Sequence, residues 1–206
     1  ETGYDVNRHP RSLFSPSALN TYLDCRLKFY YRYVAGLKAP DEVSAEIDSA
    51  LFGTIFHRAA ELVYKDLTAN GKEIRKEDLD QVLRNDIKLQ NYVDIAFKEE
   101  FFHVALTEKP EYNGTQLINA KVITSYLRQL LRNDLQYAPF FMEGMEKKVT
   151  EIIEIETSQG KLALNIGGTI DRIDSKDDTL RIVDYKTGGS PKTPENIKQL
   201  FTPADG

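Results

Sequence analysis

The apolar pattern divides the chain into a helical first part and a β-rich second part. Up to about residue 140, apolar residues recur every three or four positions, which predicts amphipathic helices. We place four helices, at 15–36, 50–67, 77–105 and 116–137. Ser15 is a favourable N-cap with Pro16 at the first turn, and Gly36 is a favourable C-terminal stop.

Val149 opens a stretch in which apolar and polar residues alternate, as they do in half-buried strands. We predict strands at 149–155, 162–173 and 180–183, a turn at 174–178, and a further helical start at Pro194. The pair Gly167-Gly168 indicates an interruption or a bulge in the middle strand. Helices followed by strands favour an arm at 1–14 and one α/β domain over 15–206, helical at 15–140 and β-rich at 146–190.

Composition is typical of a soluble globular protein. Of the 206 residues, 41% are hydrophobic and 29% are charged, and no apolar run approaches the ~18–20 residues that cross a membrane. No secretory signal pattern opens the sequence, and the single cysteine, Cys25, cannot form an internal disulfide. We therefore expect a cytoplasmic protein that does not contact membranes.

The net charge of −5 argues against nucleic-acid binding through bulk positive charge. Any such binding needs a local basic patch, a metal ion or a partner. The first helix offers one patch, because Arg26, Lys28 and Arg32 lie among tyrosines that can stack on bases. The alternative is an ordinary amphipathic helix whose tyrosines pack inward.

The last hairpin carries the candidate chemistry. If residues whose numbers sum to 355 pair across it, Asp171 faces Asp184, and Lys186 lies on the same face as Asp184. Two carboxylates facing each other destabilise a sheet by roughly 0.2–1 kcal/mol, and a divalent cation between them reverses that sign. A neighbouring lysine can contact the attacking water or the developing phosphate charge. Asp-x-Lys is also common on solvated strands, so a charged hairpin without chemistry is an alternative.

Four segments together resemble a known family: "SPSALNTYLDCRLKFYYRYVAGL" (15–37), "GTIFHRAAE" (53–61), "GGTIDRID" (167–174) and "IVDYKTG" (182–188). They resemble the PD-(D/E)XK nuclease superfamily, in particular the RecB-like and AddB-like branch of bacterial helicase–nucleases. The resemblance implies a mixed central sheet flanked by helices, the restriction-endonuclease-like core, with a helical N-terminal part. It also implies Mg²⁺- or Mn²⁺-dependent hydrolysis of DNA, of the exonuclease type, in DNA repair and recombination.

The resemblance also implies residue roles. Asp171 and Asp184 match the acidic metal ligands, and Lys186 matches the lysine of the motif. His57 matches a histidine ligand of this branch, and the backbone carbonyl of Tyr185 is expected to complete the protein's contribution.

Further residues lie near this predicted site. Glu61, four residues after His57, either forms a structural pair with it or orients it as a ligand. Glu146 matches a glutamate found near this place in the family, although helix-end charge explains it equally well. Arg58 and Arg172 flank the site and are candidate phosphate contacts.

The sequence departs from the branch in two places. Many members hold an iron–sulfur cluster on four cysteines, and Cys25 stands where the first would be, but one cysteine cannot build the cluster alone. The Gln-x-x-x-Tyr element expected after the lysine is not formed by Gln199, which Pro203 follows four positions later. We therefore expect a truncated fragment whose tight DNA binding needs further sequence, a helicase or another partner subunit.

Three hypotheses follow for the function. The first is a metal-dependent DNA nuclease. The second is a nuclease-fold module that holds DNA or docks a subunit without turnover. The third is an α/β domain with no nucleic-acid role, which predicts Asp171 and Asp184 on different faces of the hairpin.

Overall fold

The computed structural model describes residues 13–37, 46–158 and 160–188. The helical start predicted at Pro194 and the position of Gln199 lie outside the described residues. The described helices are α1 (Pro16–Asp24), α2 (Arg26–Phe29), α3 (Ser49–Leu67), α4 (Lys76–Leu83), α5 (Asp86–Phe97) and α6 (Gly114–Tyr137). Two π-helical turns extend α2 and α5, at Tyr30–Val34 and Lys98–Phe102.

The helix predictions are confirmed where caps and apolar stripe agree. Ser15 accepts a hydrogen bond from the amide of Ala18, as expected of an N-cap, and Gly36 has the positive φ of 68° that favours glycine. The prediction of a single helix over 15–36 is wrong, because Cys25 is extended and its sulfur caps α2 through the amide of Lys28. A polar side chain that caps a new helix competes with continuing the old one.

The helix predicted at 77–105 is also divided, and the cause is the same kind of local cap. The helix ends after α4, and the side chain of Asn85 accepts a hydrogen bond from the amide of Lys88 at the start of α5. Asparagine is among the best N-cap residues, so a new helix begins there. The apolar spacing alone did not distinguish one long helix from two short ones.

Four strands form one sheet in the order β1-β2-β3-β4: β1 (Glu73–Ile74), β2 (Phe140–Thr157), β3 (Gly160–Lys176) and β4 (Thr179–Val183). β1 pairs antiparallel with β2, and β3 pairs antiparallel with β4. β2 begins well before the predicted position, and β3 passes through Gly167-Gly168 without a break. The α/β class with a sheet and flanking helices is confirmed.

The β3–β4 turn fixes the register of the candidate hairpin. Asp177 and Asp178 both have positive φ, 48° and 60°, which matches the two-residue turns that suit the twist of antiparallel strands. The ladder pairs Arg172 with Val183, so the predicted register is confirmed. The turn is shorter than predicted because β3 continues to Lys176.

The chain forms two compact units, and the first comprises the described residues 13–37, 148–158 and 160–169. Its small core contains Ala18 and Phe29. Leu164 of β3 packs against that core, together with Phe14 and Tyr33. Phe14 also forms an isolated parallel bridge to Ile166, so the chain just before α1 is attached to β3.

The second unit comprises the described residues 46–147 and 170–188 and has the larger core. Helix α3 contacts α5 and α6, and α4 contacts α6. Apolar side chains of these helices, of β1 and of the start of β2 form one cluster, which includes Ile55, Val63, Ile74, Leu89, Ile123, Leu127, Phe140 and Tyr185. No described helix combines the length and apolar character that crossing a membrane requires.

Gly167 gives a test of the β2–β3 pairing in the first unit. A Cβ at this position would clash with the carbonyl oxygen of Val149 and would lie 2.9 Å from the Cα of Thr150. Gly167→Ala should therefore destabilise the fold by roughly 1–3 kcal/mol, as overpacking does. Gly168→Ala is the matched control, because its Cβ would meet only the ring of Pro16, at 3.3 Å. Chemical denaturation measures both, and equal losses would contradict this account of the pairing.

Candidate metal centre

Helix α3 places His57 beside the sheet of the second unit. Asp48 caps the helix by accepting a hydrogen bond from the amide of Leu51 at 2.7 Å. Ile55, Ala59 and Val63 turn one face of α3 into the core, where each is fully buried. His57 lies at the rim of that face, with 27% of its side chain exposed. The helix is thus fixed by its apolar face, and the imidazole is left accessible.

His57, Glu146 and Asp171 form one group. The Nδ1 atom of His57 lies 3.6 Å from Oε1 of Glu146 and 3.7 Å from Oδ1 of Asp171, and the three ligand atoms all lie within 4.8 Å of one another. Ligand atoms about 2.1 Å from one ion are at most about 4.2 Å apart, so a small contraction would close the group around a divalent cation. Its imidazole and carboxylates suit such an ion.

Glu146 reaches this group through an unusual backbone conformation. Its φ is 46°, in the left-handed region that a glutamate rarely adopts. Burial raises the pKa of the Glu146 carboxyl above its ordinary value, and the charge of Asp171 raises it further. The sequence indicated Glu146 only as a residue that orients a ligand, and its place in β2 beside His57 was not predicted. Strained backbone and a perturbed carboxyl often occur together at functional sites.

Tyr185 contacts two members of the group through its backbone. Its N–H donates a hydrogen bond to Oδ2 of Asp171 at 2.6 Å. Its carbonyl oxygen lies 3.1 Å from Nε2 of His57, which must donate because a carbonyl only accepts. In neutral His57 the proton is then on Nε2, and Nδ1 is free to bind a cation.

Asp184 and Lys186 do not join this group. Their side chains form an ion pair at 2.8 Å, and both are mostly exposed, 61% for Asp184 and 68% for Lys186. The expectation that Asp171, Asp184 and Lys186 converge is therefore not met in this arrangement. The β3–β4 ladder ends at Val183, so Asp184 lies beyond the hydrogen bonds that would hold it opposite Asp171.

The expected relation between Glu61 and His57 is wrong. Glu61 instead forms ion pairs with Arg58 and with Lys65, three and four residues away on α3. Arg58 also binds Glu99 through Nε at 2.6 Å. Full cations at these spacings outcompete a histidine for a carboxylate. The expectation that Arg58 contacts a phosphate is also not met, because two carboxylates bind its guanidinium.

Arg172 is the clearest correction. It was expected to contact phosphate, yet it is fully buried. It binds Asp134 of α6 with two hydrogen bonds, at 2.6 and 2.9 Å, and Asp174 at 2.8 Å. Tyr64 also donates a hydrogen bond to Asp134. The alternation of β3 turns Arg172 into the core, away from any ligand.

Asp134 carried a signal that sequence reasoning missed. It follows Leu127 and Leu131 on the buried face of α6, at the spacing of the apolar stripe. A carboxylate on such a face needs a buried cationic partner. Burial alone would lower the pKa of Arg172, but hydrogen bonding to Asp134 raises it above its ordinary value, so the pair stays ionised.

The three candidate DNA-contacting residues of the first unit are exposed. The guanidinium of Arg26 lies over the ring of Tyr22 at 5.6 Å, and that of Arg32 lies over Tyr33 at 5.5 Å. Lys28 is 3.8 Å from Asp24. These weak surface contacts leave the cations accessible to a ligand.

A cleft of about 550 Å³ lies beside the group. Its lining includes His57 and Glu146 together with small residues from the start of α3: Ser49, Ala50, Gly53 and Thr54. The small side chains leave room for a ligand next to the imidazole. A second groove, of about 390 Å³, is lined by Asp184, Lys186 and residues of α6 that include Tyr126 and Gln129.

Comparison with protein families gives one match that covers nearly the whole chain. Residues 13–203 match the family described as the PD-(D/E)XK nuclease superfamily. This range contains every member of the group and the Asp184–Lys186 pair.

The chain is also similar to three curated proteins, each named as one of the subunits of an ATP-dependent helicase/deoxyribonuclease. It is 28% identical over 174 residues to that of Streptococcus agalactiae, covering 84% of this chain and 14% of the relative. For Carboxydothermus hydrogenoformans the values are 25% over 191 residues, 87% and 16%. For Streptococcus equi subsp. zooepidemicus they are 29% over 185 residues, 88% and 14%. The chain thus spans a small fraction of each relative's length.

Glu146 gives a test of the group that does not need catalysis. Because the folded protein raises the pKa of Glu146, its ionised form destabilises the fold above that pKa, and this penalty disappears as the pH falls below it. Glu146→Gln should therefore raise the melting temperature at pH 7 without metal, and the gain should shrink near pH 4. It should also abolish the rise in melting temperature that Mn²⁺ gives the unmodified protein.

Glu143→Gln is the matched control for this experiment. Glu143 lies in the same strand, but it accepts a hydrogen bond from Ser175, and its pKa is lowered rather than raised. Its replacement should leave the Mn²⁺ effect intact and should not raise the melting temperature. A Glu146→Gln protein that Mn²⁺ still stabilises to the full extent would remove Glu146 from the group.

Proposed function

The chain belongs to the PD-(D/E)XK nuclease superfamily, and from this premise we propose that it is a metal-dependent DNA nuclease that hydrolyses phosphodiester bonds. The observation that carries the proposal is the meeting of His57, Glu146 and Asp171 within one ion's reach. These residues come from α3, β2 and β3, distant parts of the sequence. Two neighbouring carboxylates that repel each other are stabilised by a bound cation.

We propose that the ion is Mg²⁺ or Mn²⁺, held by Nδ1 of His57 and by the carboxylates of Glu146 and Asp171. Such an ion supplies Lewis-acid activation of water and of the scissile phosphate. The hydrogen bond from Tyr185 to Oδ2 of Asp171 leaves Oδ1 directed toward His57. The protein's part is therefore to hold one nitrogen and two oxygens in a fixed arrangement.

Asp184, the Tyr185 carbonyl and Lys186 keep their proposed roles, as two further ligands and the catalytic cation. For Asp184 to bind the ion, its carboxylate must exchange the ammonium of Lys186 for it. That exchange frees Lys186 to stabilise the negative charge that develops when the water oxygen adds to phosphorus. The P–O bond to the leaving nucleotide then breaks, and the leaving oxygen takes a proton.

The relatives' printed name combines a helicase with a deoxyribonuclease. We propose by extension that this chain is the nuclease domain of such a protein, with arm 1–14 and one domain over 15–206. Exonuclease-type cleavage, a role in DNA repair and recombination, a helicase or other subunit as partner, and a cytoplasmic location belong to the same proposal.

Cleavage of linear DNA with Mg²⁺ or Mn²⁺ tests this function directly. Asp171→Asn should lower the rate by about two orders of magnitude or more, because it removes a metal ligand's charge. Lys186→Met and Asp184→Asn should each lower it by about tenfold or more. Glu143→Gln should leave the rate unchanged. Equal cleavage by all of these proteins would reject the assignment.

The second hypothesis, a nuclease-fold module without turnover, is favoured by the exposed Asp184–Lys186 ion pair, in which each charge neutralises the other. Calorimetry separates the two hypotheses. A nuclease should bind Mn²⁺ in a manner that depends on both Asp171 and Asp184. Binding that survives Asp184→Asn unchanged, together with no cleavage of DNA, would favour the module.

We also propose that Arg26, Lys28 and Arg32 contact DNA phosphates. Arg32→Ala should weaken binding of single-stranded DNA and lower the slope of log affinity against log salt by roughly 0.7, the value for one lost phosphate contact. Lys161→Ala is the control, because Lys161 is an exposed cation of the same unit, paired with Glu154. Titrations at several salt concentrations decide the question, and equal slopes for the two variants would contradict it.

A further inference from the structure

The buried ion pair of Arg172 and Asp134 is more than stabilisation requires. Arg172 is fully buried and Asp134 is 3% exposed, so both charges have been removed from water. The desolvation penalty of such a pair can equal or exceed its attraction, and apolar residues of similar volume often stabilise a core as well. A buried pair with good geometry is better explained by the position that it fixes.

The position that this pair fixes is that of Tyr185. Nη1 of Arg172, which also binds Asp134, lies 3.4 Å from the hydroxyl oxygen of Tyr185. The Tyr185 ring packs against Phe56 and His57, with centroid distances of 5.8 and 5.6 Å. Tyr185 is thus held at its hydroxyl end by the ion pair and along its ring by α3.

Tyr185 needs such an anchor because it lies beyond the sheet. The last ladder pair of β4 is Val183 with Arg172, so no ladder hydrogen bond positions the backbone two residues later. That same backbone orients two of the three proposed ligands. Its N–H binds Oδ2 of Asp171, and its carbonyl accepts from Nε2 of His57. A shift of Tyr185 would therefore turn both ligands at once.

Resting on the proposed function, we propose that the Arg172–Asp134 pair is a positioning device for the metal group and acts on it through Tyr185. Arg172 and Asp134 touch neither the ion nor the substrate. The pair holds the Tyr185 hydroxyl, and the Tyr185 backbone then sets the direction of Oδ1 of Asp171 and of Nδ1 of His57.

Tyr185→Phe is the decisive variant, because it removes only the hydroxyl and leaves the ring and the backbone. We expect its dissociation constant for Mn²⁺, measured by calorimetry on the full chain, to rise by about 3–10-fold. This lies below or at the lower end of the effect of removing a ligand's direct partner. Cleavage should need a correspondingly higher Mn²⁺ concentration and should recover near-normal kcat at saturating metal. The melting temperature without metal should change little.

Arg172→Lys and Arg181→Lys form the matched comparison. Arg181 binds Asp174 and Asp134, as Arg172 does, but it is 33% exposed and makes no described contact with Tyr185. We expect Arg172→Lys to weaken Mn²⁺ binding at least as much as Tyr185→Phe does, and Arg181→Lys to leave it unchanged. If Arg172→Lys does not fold, the Tyr185→Phe result decides alone.

The outcomes separate the two proposals. If the unmodified chain binds no Mn²⁺, the proposed function fails, and the positioning role fails with it. If the unmodified chain binds Mn²⁺ and Tyr185→Phe binds it equally well, the positioning role alone is overturned. A purely structural pair would lower the melting temperature in Arg172→Lys and leave the Mn²⁺ affinity of the folded protein unchanged.

Discussion

A buried guanidinium must be fully paired, and this constraint on Arg172 organises the second unit. Its five N–H donors and its flat faces are matched by Asp134 and Asp174 and by the rings of Tyr64 and Phe140. Those partners come from α3, α6, β2 and β3. Removing one partner would leave an uncompensated buried charge, at about 3–5 kcal/mol. The pairing therefore holds β3 in a single register against α6, and the metal group depends on that register.

The metal group itself works against the stability of the fold. Glu146 has a left-handed backbone conformation, of the kind that stores about 1–3 kcal/mol of strain. Its carboxylate also faces that of Asp171, and burial and this like charge raise its pKa. Such an arrangement persists only where the surroundings determine it more strongly. The fully buried core of α3 and the pairing of Arg172 provide that support, so the stable and the unstable parts of the unit are physically linked.

The features that the sequence predicted well depend on neighbouring residues. The Ser15 cap, the limits of α3 and α6, and the β3–β4 register follow from caps, apolar spacing and a short turn. The wrong expectations concerned partners that are distant in sequence. Arg172 resembled a phosphate contact because nothing near it in sequence indicates Asp134. Strand alternation placed Arg172 opposite Asp171, but only the packing of α6 shows that this face is the core.

Charge distribution adds a further step. Arg58 and Arg172, the two arginines next to the group, are held by carboxylates, and Lys186 is paired with Asp184. The residues that face the cleft beside His57 include Glu61, Glu100 and Glu146. A phosphate that approached this surface would meet a negative field at short range, where screening by salt is weak. A divalent cation would reverse the field at the point where the phosphate must bind. In such a site the ion serves substrate binding as well as the chemical step, which explains how an acidic chain is compatible with a polyanionic substrate.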